Sequence, residues 1–309
     1  MKHAVVTGAN GFIGQWLIKE LVKEGVEVTA VVRSRNSDLT GIQGGSNVKI
    51  VYCEMEKIDA LPKMIGKQGY DVFYHLAWSG STGKERAEYG TQLQNVKWTC
   101  NAVRAAGNIG CRRFVGTGTL AEMDVQSYIP LDGTLPNTVS NYGTAKIAAH
   151  YMSKAECCAS GVEHLWAYLP NTYGMGNRTA NFVNFASKTM LLGQPADFTS
   201  GEQMYDFVYV SDVVHALYLI GEKGCAMSSY YIGSTKPVPL KYYIIKIRDA
   251  INPNIELHLG AVPFHGTELK AEMFDCQKLV DDTGYQPKVA FEDGIVTTVD
   301  WLKQEMEVE

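Results

Sequence analysis

The stretch that decides the fold is Ala4-Val-Val-Thr-Gly-Ala-Asn-Gly-Phe-Ile-Gly14. It is a short apolar run that leads directly into glycines at 8, 11 and 14, spaced as Gly-x-x-Gly-x-x-Gly. Glycines permit a tight turn without Cβ atoms, so backbone amides and the start of the next helix can approach a pyrophosphate. The spacing differs from Gly-x-Gly-x-x-Gly, but its mechanical purpose is the same. The stretch predicts a strand, a turn and a helix that bind a dinucleotide.

Alternating strands and helices follow this turn. Apolar residues at 13, 17, 18, 21 and 22 have helical spacing, and 26–32 is a second apolar strand. Further strands are predicted near 48–52, 71–76, 112–116 and 163–169, and helices near 12–24, 58–67, 88–108 and 142–160. This order predicts an α/β fold with a Rossmann-type doubly wound parallel sheet. Beyond about 171 the pattern is irregular, so we expect an NAD(P)-binding domain at 1–170 and a smaller C-terminal α/β substrate-binding lobe at 171–309.

A second motif places Tyr142 and Lys146 four residues apart in a predicted helix. At this spacing both side chains leave the same helical face. A nearby positive charge lowers the pKa of a tyrosine, and each unit represents roughly 1.4 kcal/mol. The pair is a candidate centre for proton transfer. The alternative is a surface lysine beside a half-buried tyrosine.

Several segments resemble the extended short-chain dehydrogenase/reductase family, in its nucleotide-sugar epimerase/dehydratase branch. They are TGANGFIG at 7–14, DVFYHLA at 71–77, YGTAK at 142–146, PNTYG at 170–174, YDFVYVSD at 205–212 and the pattern G-I-x-x-T-x-x-x-W at 294–301. The resemblance covers essentially the whole chain. It implies that some later segments return to the sheet. It also implies a homodimer through the helices at 88–108 and 139–159, although a helix covered by the chain's own C-terminal segment would look similar.

The cofactor preference depends on the end of the second strand, where an acidic residue suits NAD and an arginine suits the 2′-phosphate of NADP. This chain has Arg33 and Arg35 there, and no carboxylate until Asp38. By resemblance, Arg33 corresponds to the phosphate-binding arginine of NADPH-dependent reductases, and Val32 to the aspartate of NAD-using epimerases. We favour NADP(H), with NAD(H) as the alternative if the arginines are merely solvated. The expected cofactor contacts are Gly8, Asn10, Gly11, Phe12, Ile13, Gly14, Arg33, Arg35, Glu54, Met55, Leu76, Ala77, Trp78, Thr117, Tyr142, Lys146, Pro170 and Asn171.

The resemblance assigns the third catalytic group to Thr119, with Thr117 as a rival. It implies that Lys146 binds the nicotinamide ribose and lowers the pKa of Tyr142, that Tyr142 transfers the proton, and that Thr119 holds the reacting oxygen. Sugar-nucleotide 4,6-dehydratases carry Asp-Glu directly after the threonine, where this chain has Leu120 and Ala121. Glu122 lies one residue beyond the position of the glutamate in that pair, and on extended backbone this offset would redirect its side chain.

Substrate recognition departs from the family pattern. The resemblance places phosphate-binding arginines at two positions that are Tyr205 and Tyr168 here, and tyrosine cannot replace a bidentate cation. Four other cations are candidates to compensate: Arg178, Lys188, Lys236 and Lys270. The expected substrate contacts are Ser79, Thr119, Asn171, Asn181, Phe198, which would stack on a base, and Tyr205. Ordinary packing or loop structure is the alternative for these residues.

Three functions are compatible with these residues. The favoured one is an NADPH-dependent reductase of a nucleotide-activated 4-keto-6-deoxy sugar. The second is an NAD-dependent nucleotide-sugar 4-epimerase, which needs the same Thr119, Tyr142 and Lys146. The third, less favoured because both Tyr142 and Lys146 are retained, is a dinucleotide-binding sensor or scaffold without turnover.

Composition narrows the partners and the compartment. The net charge of −5 and the absence of a basic stripe argue against nucleic acid as a partner. No apolar run reaches the length of a membrane span, and a strand that starts near residue 3 leaves no room for a signal peptide, so we expect a cytoplasmic protein. The seven cysteines include no Cys-x-x-Cys pair, and we expect reduced, mostly buried thiols and no metal site.

Overall fold

The structure is a computed structural model that describes residues 1–42, 46–67, 69–128, 137–265 and 268–308. It divides into two compact units. The first comprises Met1–Leu169, Val214–Tyr231 and Lys278–Tyr285, and the second comprises Pro170–Val213, Ile232–Gln277 and Gln286–Glu309. Within the described residues, no helix is long and apolar enough to cross a membrane.

The described strands are numbered in chain order. They are β1 (His3–Thr7), β2 (Glu27–Val32), β3 (Val48–Tyr52), β4 (Val72–His75), β5 (Arg113–Thr119), β6 (Glu163–Leu169), β7 (Asn171–Tyr173), β8 (Asp197–Phe198), β9 (Met204–Tyr205), β10 (Phe207–Tyr209), β11 (Ser228–Tyr231), β12 (Val238–Pro239) and β13 (His258–Leu259).

The described α-helices are numbered in the same way. They are α1 (Phe12–Lys23), α2 (Leu61–Ile65), α3 (Tyr89–Asn108), α4 (Leu120–Tyr128), α5 (Ser140–Ser160), α6 (Phe182–Leu191), α7 (Val210–Lys223), α8 (Leu240–Ile251), α9 (Gln277–Thr283) and α10 (Phe291–Val308). Short 3₁₀ helices span Met55–Ala60, Lys84–Ala87 and Ala271–Phe274.

The first unit is built on a seven-stranded sheet in the order β11-β6-β5-β4-β1-β2-β3, in which every pair is parallel. The strand order reverses between β1 and β4, which is the switch point where doubly wound sheets bind ligands at the carboxyl ends of their strands. This sheet confirms the predicted fold class. Because both faces of the sheet are covered, the strands are almost continuously apolar. Their side chains include Val5, Phe73 and Phe114, which are fully buried in one core.

Two local predictions in the first unit need correction. The helix predicted near 58–67 is a 3₁₀ segment, Met55–Ala60, followed by the five-residue α2, because Pro62 lies at the start of α2. Helix α4 was not predicted. Glu122 therefore lies on helical backbone, and the prediction of an extended backbone at this residue is wrong.

Among its described residues, the second unit contains three short strand pairs: β7 with β10 in parallel, β9 with β12 in antiparallel orientation, and β8 with β13 in parallel. Aromatic rings form its centre, where Phe207 and Phe291 lie 4.8 and 4.7 Å from the ring of Tyr243. The buried carboxylate of Asp212 connects α7 to the segment before α10, because it accepts hydrogen bonds of 2.9 Å from the backbone amides of Lys288 and Val289.

Candidate active site

The glycine turn follows β1 and has the close approaches that the sequence predicts. Gly8 adopts a φ of +67°, and a Cβ atom there would lie 2.8 Å from the amide nitrogen of Ala77. A Cβ atom at Gly14 would overlap the carbonyl oxygen of Gly8. The amide of Gly11 donates to that same oxygen over 3.0 Å. Only glycine fits at these positions without displacing backbone.

Helix α1 begins at Phe12 with no side-chain cap at Gly11 and no acidic residue in its first turn. The amides of Phe12, Ile13 and Gly14 are therefore left to an anion, and the helix dipole favours one. Asn10 contributes through its carbonyl oxygen, which accepts a 2.8 Å bond from the Gln15 side chain and fixes the turn on the helix. These residues fit the pyrophosphate of a dinucleotide.

The end of β2 presents the residues expected to select the cofactor. Val32 is 1% exposed, whereas Arg33 and Arg35 are exposed, and Arg35 lies over the ring of Tyr52 at 5.2 Å. Glu54 bonds Lys57 over 2.8 Å, and this hydrogen bond and the charge of Lys57 lower the pKa of Glu54. The strand therefore ends in an apolar residue, Val32, and not in an acidic one.

Met55 starts the 3₁₀ segment that follows and packs against the apolar core of the first unit. Its side chain is partly buried, which suits an apolar contact at the edge of a site.

The loop after β4 carries Leu76, Ala77, Trp78 and Ser79, and α3 holds it. Trp78 donates its indole N–H to Gln92 over 3.0 Å. The Asn95 side chain accepts a hydrogen bond from the Ser79 amide over 2.9 Å and donates one to the Ser79 carbonyl over 2.8 Å. Gln92 and Asn95 are each 1% exposed, so these bonds are shielded from water. Amide side chains three apart, on the face of α3 that also carries Val96, Thr99 and Val103, are the sequence signal that could have revealed this support.

A buried histidine joins the ends of three strands. His75 bonds the Thr7 hydroxyl through Nδ1 over 2.9 Å and the Thr99 hydroxyl through Nε2 over 3.4 Å. The Thr117 hydroxyl donates to the His75 carbonyl over 3.1 Å. Burial, assisted by the charge of Lys146, lowers the pKa of His75 to about 3, so the ring is neutral. The Thr117 hydroxyl is thereby bonded to the neighbouring strand β4.

Thr119 ends β5 and caps α4. Its hydroxyl accepts the Ala121 amide over 3.3 Å, and its own amide donates to Glu122 Oε1 over 2.9 Å. These reciprocal bonds form a capping box, and the pattern Thr-x-x-Glu at 119–122 is its sequence signature. The box fixes the backbone from which the Thr119 hydroxyl projects.

Tyr142 and Lys146 lie on one face of α5, as predicted, and both are buried. Lys146 donates to the Thr117 carbonyl over 2.7 Å and lies 3.7 Å from the Trp78 ring centroid. The Trp78 and Tyr142 rings meet edge to face at 6.0 Å. A hydrogen bond joins the Thr119 side chain to Tyr142. The structure thus brings Thr119, Tyr142, Lys146 and Trp78 together at the carboxyl end of β5.

The electrostatics of this pair differ from the expectation. Burial raises the pKa of Tyr142, and the opposing influences are the charge of Arg86 and the Thr119 hydrogen bond rather than Lys146. Burial lowers the pKa of Lys146 to about 7, and the charge of Glu122 opposes that change. The prediction that Lys146 lowers the pKa of Tyr142 is therefore not met in this structure. Arg86, which no sequence motif identified, lies over the Tyr142 ring at 4.1 Å.

The remaining predicted residues belong to the second unit. Pro170 precedes β7, and Asn171 is its first residue. Asn181 caps α6 by accepting the Asn184 amide over 3.0 Å. Phe198 is 4% exposed and its ring packs 6.0 Å from Phe182, so it offers little surface for stacking on a base.

Tyr205 and the candidate cations have mixed surroundings. The Tyr205 ring stacks 5.5 Å from Phe207, which gives it a packing role. Arg178 is held by Glu305 over 2.7 Å. Lys236 and Lys270 are exposed and lie in the same unit.

Comparison with known proteins identifies the class. The model of the NAD dependent epimerase/dehydratase family matches residues 4–233, and the chain belongs to this family. It is therefore an extended short-chain dehydrogenase/reductase enzyme, which confirms the resemblance. The glycine turn and Lys146 are suited to hold the nicotinamide dinucleotide that this family uses.

Individual relatives are similar to this chain over nearly its whole length. UDP-glucose 4-epimerase of Mycolicibacterium smegmatis is 24% identical, over 97% of this chain and 98% of the relative. The fold is similar to UDP-glucose 4-epimerase of Thermotoga maritima with UDP-glucose (TM-score 0.81, 20% identity, 98% of this chain and 99% of that chain). It is also similar to the Bordetella bronchiseptica enzyme WbmF with NADH (TM-score 0.80, 21% identity, 99% and 93%).

Proposed function

We propose that this enzyme is an NADP(H)-dependent reductase of a nucleotide-activated 4-keto-6-deoxy sugar. The cofactor supplies hydride transfer when it is bound. Tyr142 exchanges a proton with the reacting oxygen, Thr119 holds that oxygen by hydrogen bond, and Lys146 keeps a positive charge beside them. The dinucleotide would be held by the turn at Gly8, Gly11 and Gly14 and by Lys146.

The observation that carries this proposal is the pair Leu120 and Ala121 directly after Thr119. Leu120 is 8% exposed at the start of α4, and neither side chain can transfer a proton. Elimination of water from a sugar needs an acid and a base near the reacting carbons. The three catalytic side chains that remain support hydride transfer at a carbon that bears oxygen.

The cofactor preference is supported by Arg33 at the end of β2, next to the buried Val32. An exposed guanidinium can form bidentate bonds with a 2′-phosphate, which NADH lacks. We expect Arg33→Ser to weaken NADPH at least tenfold while NADH affinity stays within a factor of two, measured as Kd by fluorescence titration. Lys49→Ser, which removes a cation from β3, is the control. Equal affinities of the parent enzyme for NADPH and NADH would contradict the preference.

A 4-epimerase is the second candidate, because it uses the same Thr119, Tyr142 and Lys146, and a relative of that name matches the full length of this chain. The two functions differ in cofactor balance. A reductase consumes one NADPH per sugar, whereas an epimerase regenerates its bound cofactor. Absorbance at 340 nm during turnover of nucleotide 4-keto-6-deoxy sugars and of UDP-hexoses separates them. Sugar inversion without loss of NADPH would replace the reductase proposal.

We also propose that the enzyme forms a homodimer through α3 and α5. Leu93 on α3 and Tyr151 on α5 are 62% and 60% exposed, which is unusual for large apolar side chains on helices that pack against each other. Sedimentation equilibrium should give a dimer for the parent and a monomer for Leu93→Asp. Phe185→Asp, at an apolar position on α6 that is 58% exposed, should leave the dimer intact. A monomeric parent would refute the assembly.

A further inference from the structure

A carboxylate is buried directly behind the catalytic threonine. Glu122 is 0% exposed. Its Oε1 accepts hydrogen bonds from the Thr119 amide over 2.9 Å and from the Trp166 indole over 3.3 Å. Among the described residues, its Oε2 has no hydrogen-bond partner. A capping box on a surface helix does not need burial of this kind, so the cap alone does not explain where this charge lies.

The surrounding backbone makes room for this carboxylate. A Cβ atom at Gly118 would overlap both Glu122 Oε1 and the Trp166 indole nitrogen. A Cβ atom at Gly143, the neighbour of Tyr142, would overlap the Ala121 carbonyl. These two glycines let α4 approach β5 and α5 closely, and they bring Glu122 near the catalytic helix.

Four titratable groups face Glu122 from the elements packed around it. On α5 these are Tyr142, Lys146 and His150, whose Nδ1 lies 3.7 Å from Oε2. On β6 it is Tyr168, which also contacts His150 over 3.3 Å. The negative charge of Glu122 raises the pKa of Tyr142 and opposes the fall in the pKa of Lys146.

A cation lies over the ring of the tyrosine. The Arg86 guanidinium is 4.1 Å from the Tyr142 ring centroid, and its Nη1 donates to the Ser81 carbonyl over 3.0 Å. Its charged neighbours along the chain, Lys84, Glu85 and Glu88, are all exposed. A cation held over a phenol ring favours the phenolate.

We propose that Glu122 and Arg86 are positioning residues that act electrostatically, with opposite charges, on the Tyr142–Lys146 pair. The balance of their charges sets the pH range in which the pair transfers a proton. Neither side chain is assigned a proton-transfer step of its own, and the influence of both passes through Tyr142 and Lys146. The kinetic part of this inference rests on the proposed function, whereas the titration of Lys146 does not.

The test uses Glu122→Gln, which keeps the shape and both hydrogen bonds to Oε1 but removes the charge. Lysine labelled with ¹³C at Cε reports the protonation of Lys146 in the full-length enzyme, and Lys146→Met assigns its resonance. We expect the titration midpoint of Lys146 to fall by about one pH unit in Glu122→Gln, because a carboxylate nearby favours the ammonium. The limbs of the kcat profile against pH should move in the same direction.

Arg86→Gln is the opposite perturbation. Loss of this cation disfavours the phenolate, so the limbs of the kcat profile should move up by about one pH unit. Glu156→Gln is the matched charge control. Glu156 pairs with Arg104 over 2.8 Å, ten residues beyond Lys146 on α5 and therefore about 15 Å away. This variant should leave the Lys146 midpoint and the kcat profile unchanged.

The outcomes are distinguishable. An unchanged Lys146 midpoint in Glu122→Gln, an equal displacement in Glu156→Gln, or a kcat profile that does not move up in Arg86→Gln overturns the inference. Loss of thermal stability in Glu122→Gln without displacement of either measurement would leave Glu122 as a helix cap only, and this also overturns it. If no sugar substrate turns over but the Lys146 midpoint falls as expected, the proposed function fails while the role of Glu122 stands.

Discussion

At Tyr142, burial and the charge of Arg86 change the pKa of the phenol in opposite directions. Desolvation raises the pKa of the phenol, while Arg86 and the Thr119 hydroxyl oppose that increase. Lys146 is itself desolvated, and its pKa is lowered to about 7. A lysine with this pKa changes its charge near neutral pH. Its positive charge, which the proposed mechanism needs, is therefore sensitive to whatever binds beside it.

The first prediction concerns the Tyr142 hydroxyl. We expect Tyr142→Phe to lower kcat by at least about a thousandfold, as is typical when a general acid or base is lost. Cofactor Kd should change less than threefold, because the glycine turn and Lys146 remain. Steady-state rates and cofactor titration measure the two effects. Tyr151→Phe, at the exposed tyrosine on the same helix, is the control, and substantial turnover by Tyr142→Phe would refute its assignment.

At the scale of elements, close approaches of backbone explain the glycine pattern. Gly14 lies within α1 but faces the turn, where a Cβ atom would overlap Gly8 O and lie 2.8 Å from Ala9 O. Gly90 also lies within a helix, α3, but is exposed, and beyond its chain neighbours and the backbone of its own helix no atom lies within 4 Å of its Cβ position. The two glycines therefore form a matched pair that separates helix propensity from steric fit.

We expect Gly14→Ala to lower the free energy of unfolding by about 1–3 kcal/mol, as overpacking does, and to weaken dinucleotide binding more than tenfold. Gly90→Ala should instead raise the free energy of unfolding by about 0.5–1 kcal/mol, because alanine favours an exposed helix. Urea unfolding and cofactor titration measure both variants. If Gly14→Ala binds the cofactor like the parent, the turn does not approach the pyrophosphate.

At the scale of the whole molecule, two buried histidines make the free energy of unfolding depend on pH. Burial lowers the pKa of His75 and of His164 to about 3, and the nearby charge of Lys146 or of His150 and Lys154 adds to this. An unfolded chain binds these protons below about pH 6.5. Between about pH 6.5 and 3 the unfolded state therefore holds more protons, and the free energy of unfolding decreases as the pH falls.

His164→Gln tests this dependence. The slope of the unfolding free energy against pH in that window should fall by about 1.4 kcal/mol per pH unit, the contribution of one proton. Ser153→Ala removes the hydrogen bond to His164 Nε2 (3.0 Å) but keeps the titrating ring. It should lower stability at every pH and leave the slope close to that of the parent. Identical slopes for His164→Gln and the parent would contradict the assignment.

The local sequence determined the glycine turn, the parallel sheet, and the helix that carries Tyr142 and Lys146. These features depend on apolar periodicity, on the spacing of the glycines and on the four-residue spacing of Tyr142 and Lys146, all of which are local properties of the chain. The pattern Thr-x-x-Glu at 119–122 also contained the signal for α4, although apolar periodicity did not reveal it.

Tertiary structure decided which charges surround the catalytic pair. Arg86 comes from the 3₁₀ segment Lys84–Ala87 after β4 and Glu122 from a short helix after β5, and no spacing rule relates either residue to Tyr142. The sign of the change in the Tyr142 pKa likewise depends on burial, which sums over every element packed around the ring. The types of catalytic group are written in the sequence, whereas their protonation is set by desolvation and by charges that only folding brings together.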